Sequence, residues 1–290
     1  MNQPARAPLD VIGSIGPLYA RVLGNPMVHV RLGAPFLVVL VVLDLLLFAW
    51  LGPAGVVGPA GAGQGQVMLA LFVFLLVTVW VSTLYAVRWH RYALLGESEF
   101  GFLDIAPRQR DWAYFGYSLL VGIVLGVAAF VLSFVASMVL GLFNLRGDFM
   151  ARIASQGDAA FFLSAGGLVM LAIIGLPCLY LFARWSLVFP GRAIEVPMTL
   201  THSWLATQGQ GWRIALLILA MVLPVQILAA LVPGLIPFGA SGFVWTTQLI
   251  VSVVVNLFLL ITIALGQSAL SHAYAHLGRL PRGQSPGRGG

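Results

Sequence analysis

The five histidines include the side chains of this chain that are best placed to bind a metal. His272 and His276 are one helical turn apart in a segment that we predict to be helical, so they share a face in a geometry that can bind zinc. His90, Glu97 and Glu195 could approach them from other segments. The sequence contains no HExxH or other dense ligand pattern. We therefore expect no metal site and no cofactor.

Asp44, in VVLDLLLF, is the carboxylate that falls in the middle of an apolar run. A charge at the centre of a bilayer costs about 3 kcal/mol on insertion scales, so Asp44 should face other helices. Thr78 and Asn256 lie at a similar depth. Two interpretations stay open: a proton or substrate site built with Asn256, or a buried hydrogen bond that fixes helix packing.

The sequence contains no recognisable motif for covalent catalysis. GxSxG is absent, and the single cysteine, Cys178, lies in an apolar run. A membrane-embedded lipid enzyme would need His90, Glu97, Glu195 and His272 to converge at headgroup depth. The sequence favours a non-enzymatic protein, with the lipid enzyme as one alternative.

The elements that carry these residues are membrane spans. Of the 290 residues, 60% are hydrophobic and only 8% are charged, whereas soluble domains are about 25% charged. A helix of about 20 apolar residues crosses the hydrocarbon core. We predict an all-α, polytopic fold with a transmembrane domain at 33–268, between an N-terminal segment (1–32) and a C-terminal tail (269–290) with a disordered end. Its six spans are 33–52, 67–88, 113–142, 162–183, 213–233 and 244–268.

Arginines are distributed unequally between the two sides of these spans. Thirteen lie in the termini and in the segments around 89–112 and 184–212, whereas the opposite loops hold only Arg146 and Arg152. By the positive-inside rule, both termini face the cytoplasm. We predict a multi-pass protein of the bacterial inner membrane.

Spans 2 and 4 end alike, in LYAVRWHRYALLGE (84–97) and LYLFARWSLVFPGRAIE (179–195). This similarity predicts three hairpins of one kind, the third with a weaker ending. A mixed apolar and polar stretch precedes each hairpin and is predicted to be an amphipathic, interfacial helix on the cytoplasmic side. These stretches are 17–32, 100–112 and 198–212.

Arginine and tryptophan recur at headgroup depth on the cytoplasmic side. Basic pockets between helices suit anionic headgroups, so we predict contacts with anionic phospholipid; the alternative is that these residues only anchor the topology. No separate basic domain suggests nucleic acid. The predicted headgroup residues are Arg88, Trp89, Arg91, Arg184, Trp185, Arg192 and Arg213.

The stretch RWSLVFPGRAIE, followed by SWLATQGQGWRIALLI, resembles the signature of the YciC-like and glycerophosphodiester-phosphodiesterase membrane-domain superfamily. The resemblance covers most of the chain. It implies a six-helix inner-membrane fold with no catalytic domain and with a largely unassigned biochemical role. We predict a non-enzymatic role in envelope or membrane maintenance. The residues that carry it are Arg184, Trp185, Pro190, Glu195, Ser203, Trp204, Gly211, Trp212 and Arg213.

Two further patterns concern helix packing. A stripe of small residues in span 3 permits close helix approach, within the bundle or in a homo-oligomer. Pro177 and Pro224 each remove a backbone hydrogen bond inside a span. With Asp44, these proline-broken spans 4 and 5 support the alternative of a small transporter or permease component. The stripe consists of Gly122, Gly126, Ser133, Ser137 and Gly141.

Overall fold

The computed structural model describes residues 8–51, 63–97, 106–143, 165–235 and 244–277, and its regular structure in these ranges is entirely helical. Some predictions fall outside them: the loop with Arg146 and Arg152, the start of the fourth span, part of the stretch 100–112, and the tail after 277. The helices are α1 (Val11–Leu23), α2 (Pro26–Leu51), α3 (Gln64–Leu95), α4 (Gln109–Leu142), α5 (Ala165–Met170), α6 (Leu176–Trp185), α7 (Val188–Ala193), α8 (Leu200–Ala206), α9 (Gly211–Leu235) and α10 (Val244–Leu277).

Six of the described helical stretches are long and apolar enough to cross a membrane. One of them combines α5, α6 and α7. This confirms the predicted all-α class and the six spans of a polytopic membrane protein. The stretches are Pro26–Leu51, Gly65–Leu95, Gln109–Leu142, Gly166–Ala193, Gly211–Leu231 and Trp245–Leu277.

The helices extend beyond the apolar segments from which the spans were predicted. The helical hydrogen bonds of α3 continue past residue 88 to Leu95, where Gly96 adopts φ 71° and its N–H bonds to the Tyr92 carbonyl at 3.1 Å. Likewise α10 continues to Leu277, so the first part of the predicted tail is helical and packed. Hydrophobicity locates the hydrocarbon core, whereas capping residues locate the helix ends.

The stretch 17–32 is divided between two helices and does not form one interfacial helix. Residues 17–23 end α1, which Asp10 caps by accepting a hydrogen bond from the Gly13 N–H at 2.9 Å. Residues 26–32 begin α2. The break lies at Asn25 because the residue before a proline disfavours helical geometry, while Pro26 suits a first helical position.

Helix α10 is the central element of the bundle, because it packs against α1, α2, α3, α7 and α9. Its polar side chains near the C-terminal end fasten α3 to it. Trp89 donates from Nε1 to Ser268 Oγ at 2.7 Å, and His90 Nδ1 shares a hydrogen bond of 2.8 Å with Ser271 Oγ. Both rings are buried, so these bonds fix how α3 packs on α10.

Pro177 and Pro224 affect their helices differently. A π-helical turn, Leu171–Gly175, immediately precedes the turn of α6 that contains Pro177. Such wide turns accommodate a residue that cannot donate a backbone hydrogen bond. Pro224 lies within α9, which is one continuous helix. The expected interruption is therefore seen in the fourth span and not in the fifth.

Candidate anion-binding site

The residues predicted to meet headgroups are grouped at one end of the bundle, where α3 and α6 end and α4 and α9 begin. We call it the arginine end and define it by Arg88, Arg91, Arg184 and Arg192. Direct contacts connect its parts, since Arg91 donates to the Ala193 carbonyl at 3.1 Å.

Two of these arginines are enclosed by protein. Arg88 is 8% exposed and Arg184 is 6% exposed. The guanidinium of Arg88 lies 4.7 Å from the centre of the Phe36 ring. That of Arg184 donates to Tyr180 Oη at 3.1 Å and to the Trp204 carbonyl at 2.7 Å, and lies 4.0 Å from the Trp204 ring centre. Both guanidiniums therefore meet aromatic faces of the fold itself, and that of Arg184 also meets a backbone carbonyl.

The residues that carry the family resemblance surround Arg184. Its carbonyl accepts hydrogen bonds from Ser203 Oγ at 2.8 Å and Thr207 Oγ1 at 3.2 Å, which attach α8 to α6. A Cβ at Gly211 would lie 2.6 Å from Arg184 Cδ and 2.7 Å from Tyr180 Cε2, so only glycine fits there. This part of the pattern therefore has a packing role.

The tryptophans and Arg213 also form contacts within the protein. Trp89 is buried, and Trp185 is half-buried with its ring 6.0 Å from that of Trp204. Arg213 donates to the Leu9 carbonyl at 3.0 Å. It thereby fastens the segment before α1 to the start of α9.

Arg91 and Arg192 have partners but lie nearer to the surface. Arg91 forms a two-pronged ion pair with Glu97, with Nε at 2.7 Å from Oε2, and a longer pair with Glu195 at 3.4 Å. Arg192 donates to the Met198 carbonyl at 3.0 Å and to Tyr117 Oη at 2.9 Å.

A cavity of about 430 Å³ opens between the start of α4 and the end of α7. We call it the arginine cavity. Three guanidiniums and one carboxylate contribute to its lining, so its formal charge is positive. Its residues are Arg108, Gln109, Arg110, Ala113, Arg192, Glu195 and Pro197.

Arg110 and Glu195 form the ion pair of this cavity. Arg110 donates to Glu195 Oε1 at 2.8 Å, and its Nε is buried without a hydrogen-bond partner in the described part of the chain. The bond from Arg110, together with the charges of Arg110, Arg91 and Arg108, holds the pKa of the Glu195 carboxyl below its usual value, although partial burial opposes this. The carboxyl is therefore an anion at neutral pH.

The backbone of Glu195 is in the left-handed region, at φ 65°. The Glu195 N–H bonds to the Arg192 carbonyl at 3.1 Å, and the Val196 N–H bonds to the Gly191 carbonyl at 2.9 Å. This is the Schellman ending of a helix, in which glycine usually takes the left-handed position. A residue with a Cβ costs about 1–2 kcal/mol there. The charged side chain occupies this position despite its conformational cost.

Sequence reasoning omitted Arg108 and Arg110 from the predicted site. Both lie in APRQRDW, immediately before the third span, and the charge of this stretch was the available signal. What the sequence could not provide is the proximity of Arg192 and Glu195, which reach α4 from the end of α7.

The histidines and carboxylates of the metal and enzyme hypotheses have separate partners. His90 bonds to Ser271, whereas His272 Nε2 shares a hydrogen bond of 2.9 Å with Ser14 Oγ. Glu97 and Glu195 pair with arginines. Within the described ranges, no group of three or more histidine, cysteine, aspartate or glutamate residues could hold a metal ion.

Asp44 forms hydrogen bonds to α10. One partner is Asn256, which the sequence placed at a similar depth in the membrane. Its Oδ2 accepts from Ser252 Oγ at 2.8 Å and from Asn256 Nδ2 at 2.5 Å. An uncharged cavity of about 410 Å³ between α3, α4 and α10, with Thr78, Tyr114 and Gln267 in its lining, does not include Asp44. The contacts of Asp44 are those of a packing bond between α2 and α10.

No protein-family model, curated protein or solved structure matches the chain.

The small-residue stripe of α4 is open in the single chain. A Cβ built at Gly122, Gly126 or Gly141 would meet no atom within 4 Å. Close packing of this stripe inside the bundle, one of its two predicted uses, is thus not seen at these glycines.

Proposed function

We propose that this protein binds anionic phospholipid headgroups in the arginine cavity. The observation that carries the proposal is the convergence of Arg108, Arg110 and Arg192 on one cavity beside apolar helices. Guanidinium groups match phosphate oxygens in geometry and keep their charge in a low dielectric. An anionic headgroup would add negative charge to a cavity whose lining has three guanidiniums and one carboxylate, that of Glu195.

The predicted headgroup residues divide into three roles under this proposal. Arg192 contacts the headgroup directly, together with Arg108 and Arg110. Arg88, Trp89, Arg184, Trp185 and Arg213 hold the helices that shape the arginine end, in keeping with their internal hydrogen bonds and aromatic contacts. Arg91 acts through its ion pair with Glu195.

The setting of this proposal is the bacterial inner membrane, with both termini and the arginine end in the cytoplasm. The unequal distribution of arginines supports this orientation. The three-hairpin repeat, interfacial helices before its second and third hairpins, a relationship to the YciC-like superfamily and a non-enzymatic role in envelope maintenance belong to the same proposal. The open stripe on α4 is the face that we propose for a homo-oligomer.

The test is native mass spectrometry of the detergent-extracted protein with phosphatidylglycerol added. We compare wild type with Arg108→Ala/Arg110→Ala. The control Arg21→Ala/Arg31→Ala removes the same charge from two exposed arginines outside the cavity. Arg88 and Arg184 are unsuitable, because their loss would disturb the buried core.

The proposal predicts that wild type and the control retain bound phosphatidylglycerol and that the cavity variant loses most of it. Equal retention by all three proteins would show that lipid is held elsewhere, by general attraction to the apolar surface.

A further inference from the structure

Glu195 differs from the other charged residues of the arginine cavity because it is an acid among arginines. It pairs with Arg110 at 2.8 Å and with Arg91 at 3.4 Å. Its carboxylate therefore links α3, α4 and the end of α7. An anion entering this cavity would need the same guanidinium donors.

The conformation of Glu195 indicates that its side chain has a role of its own. The left-handed backbone at φ 65° would suit glycine better. Strain retained at one position is an observation from which a functional role can be inferred. The side chain is also 61% exposed, so it can rotate towards solvent without displacing a packed residue.

We propose that Glu195 occupies the anion position of the arginine cavity and that a phosphate monoester displaces it. This rests on the proposed function, which it deepens by naming the headgroup class. Glu195 then lowers the affinity of the cavity for every anion by the same factor, because each incoming anion must replace a carboxylate that is already bound.

The charge balance of this exchange favours a monoester. A phosphate diester carries one negative charge, so replacing the Glu195 carboxylate with it leaves the charge within the cavity unchanged. A monoester carries about −1.5 to −2 at neutral pH. Only the monoester therefore brings additional negative charge to Arg108, Arg110 and Arg192 and offsets the loss of the Glu195 ion pairs.

Titration calorimetry on the detergent-purified protein tests this proposal. The probes are dioctanoyl phosphatidic acid (a monoester lipid), dioctanoyl phosphatidylglycerol (a diester lipid) and inorganic phosphate. The variants are Glu195→Gln, which removes the charge, and Glu195→Gly, which also relieves the backbone. Glu97→Gln is the control, since Glu97 pairs with Arg91 but does not line the cavity.

Wild type should bind phosphatidic acid at least about tenfold more tightly than phosphatidylglycerol, because of the additional charge. Both Glu195 variants should tighten binding of both lipids by about tenfold and leave their ratio unchanged, since the same ion pair no longer has to be displaced. Glu97→Gln should have a smaller effect.

Equal affinity for the two lipids, or no tightening in either Glu195 variant, would overturn this inference while leaving anionic-lipid binding in place. Failure of both lipids to bind any variant would instead overturn the proposed function. Inorganic phosphate that binds as tightly as phosphatidic acid would support the monoester site but assign it to a soluble ligand, against a lipid headgroup.

Discussion

Arg184 shows how a charged side chain is held at the end of a span. Its guanidinium is 4.0 Å from the centre of the Trp204 ring and hydrogen-bonded to the Trp204 carbonyl. Lysine could reproduce the charge but not the planar fork or the stacking. At the residue scale, stability therefore depends on the shape of the cation as well as on its sign.

Arg184→Lys should destabilise the protein by about 2 kcal/mol, through loss of charge-assisted hydrogen bonds and of stacking. The measurement is thermal unfolding in detergent. The exposed Arg31→Lys is the control and should change the free energy of unfolding by less than about 0.5 kcal/mol. Equal effects of the two substitutions would contradict the role given to Arg184.

Gly211→Ala should cost about 1–3 kcal/mol, because its Cβ would lie 2.6 Å from Arg184 Cδ and 2.7 Å from a Tyr180 ring carbon. Gly116→Ala is the matched control, since a Cβ there meets no atom within 4 Å. The control should be neutral or stabilising by up to about 1 kcal/mol. Thermal unfolding in detergent measures both substitutions. A free energy of unfolding that is unchanged in Gly211→Ala would refute the close approach of α9 to α6.

Glu195 should make stability depend on pH in a defined direction. Its folded-state pKa is lowered, first by the Arg110 hydrogen bond. The resulting stabilisation is fully present above the unfolded pKa of about 4.3 and is lost as the pH falls through the lower folded value. We therefore expect the difference in melting temperature between wild type and Glu195→Gln to stay constant from about pH 7 to about pH 5 and to shrink as the pH falls below about 4. A difference that widens in acid would rule out this ion pair.

At the scale of the elements, α10 organises the bundle by contacting helices on several sides. Hydrogen bonds to Trp89 and His90 fasten α3 near its C-terminal end, and a bond to Asp44 fastens the apolar part of α2. Polar groups inside a bilayer are satisfied by neighbouring helices. These bonds specify which face of each helix meets α10.

Asn256→Leu should destabilise the protein by about 1 kcal/mol, as expected for an interhelical hydrogen bond in a membrane. Asp44→Asn should cost less, because an amide oxygen can still accept from Ser252 and Asn256. Unfolding in detergent measures both. Two results would replace the packing role of Asp44 with a transport role. One is that Asp44→Asn lowers the free energy of unfolding more than Asn256→Leu does; the other is that Asp44→Asn abolishes proton-coupled uptake in proteoliposomes.

At the scale of the whole molecule, the arginine end lies at one end of the apolar helices, and long-range contacts build its cavity. The six spans could be predicted because hydrophobicity alone determines them. The proximity of Asp44 and Asn256 was also foreseeable from their similar depth. The arginine cavity was not, because Arg110 and Glu195 are far apart in sequence and no periodic pattern relates them.

The helix ends were predicted less well than the spans, for a related reason. The end of α3 depends on Gly96, and the break between α1 and α2 depends on Asn25 and Pro26. These are local capping signals beyond the apolar segments. The close approach of α9 to α6, where Gly211 lies against Arg184, depends on a contact between two spans that are separate in the sequence.

The most direct test of the central claim is photo-crosslinking with phosphatidic acid that carries a diazirine close to its headgroup. The lipid is incorporated with the protein into nanodiscs, and the modified peptides are identified by mass spectrometry. We predict adducts in residues 106–113 and 190–198, the segments that contain the lining of the arginine cavity, and their loss in Arg108→Ala/Arg110→Ala. Adducts confined to other helices, or unchanged in that variant, would contradict the claim that this cavity binds the headgroup.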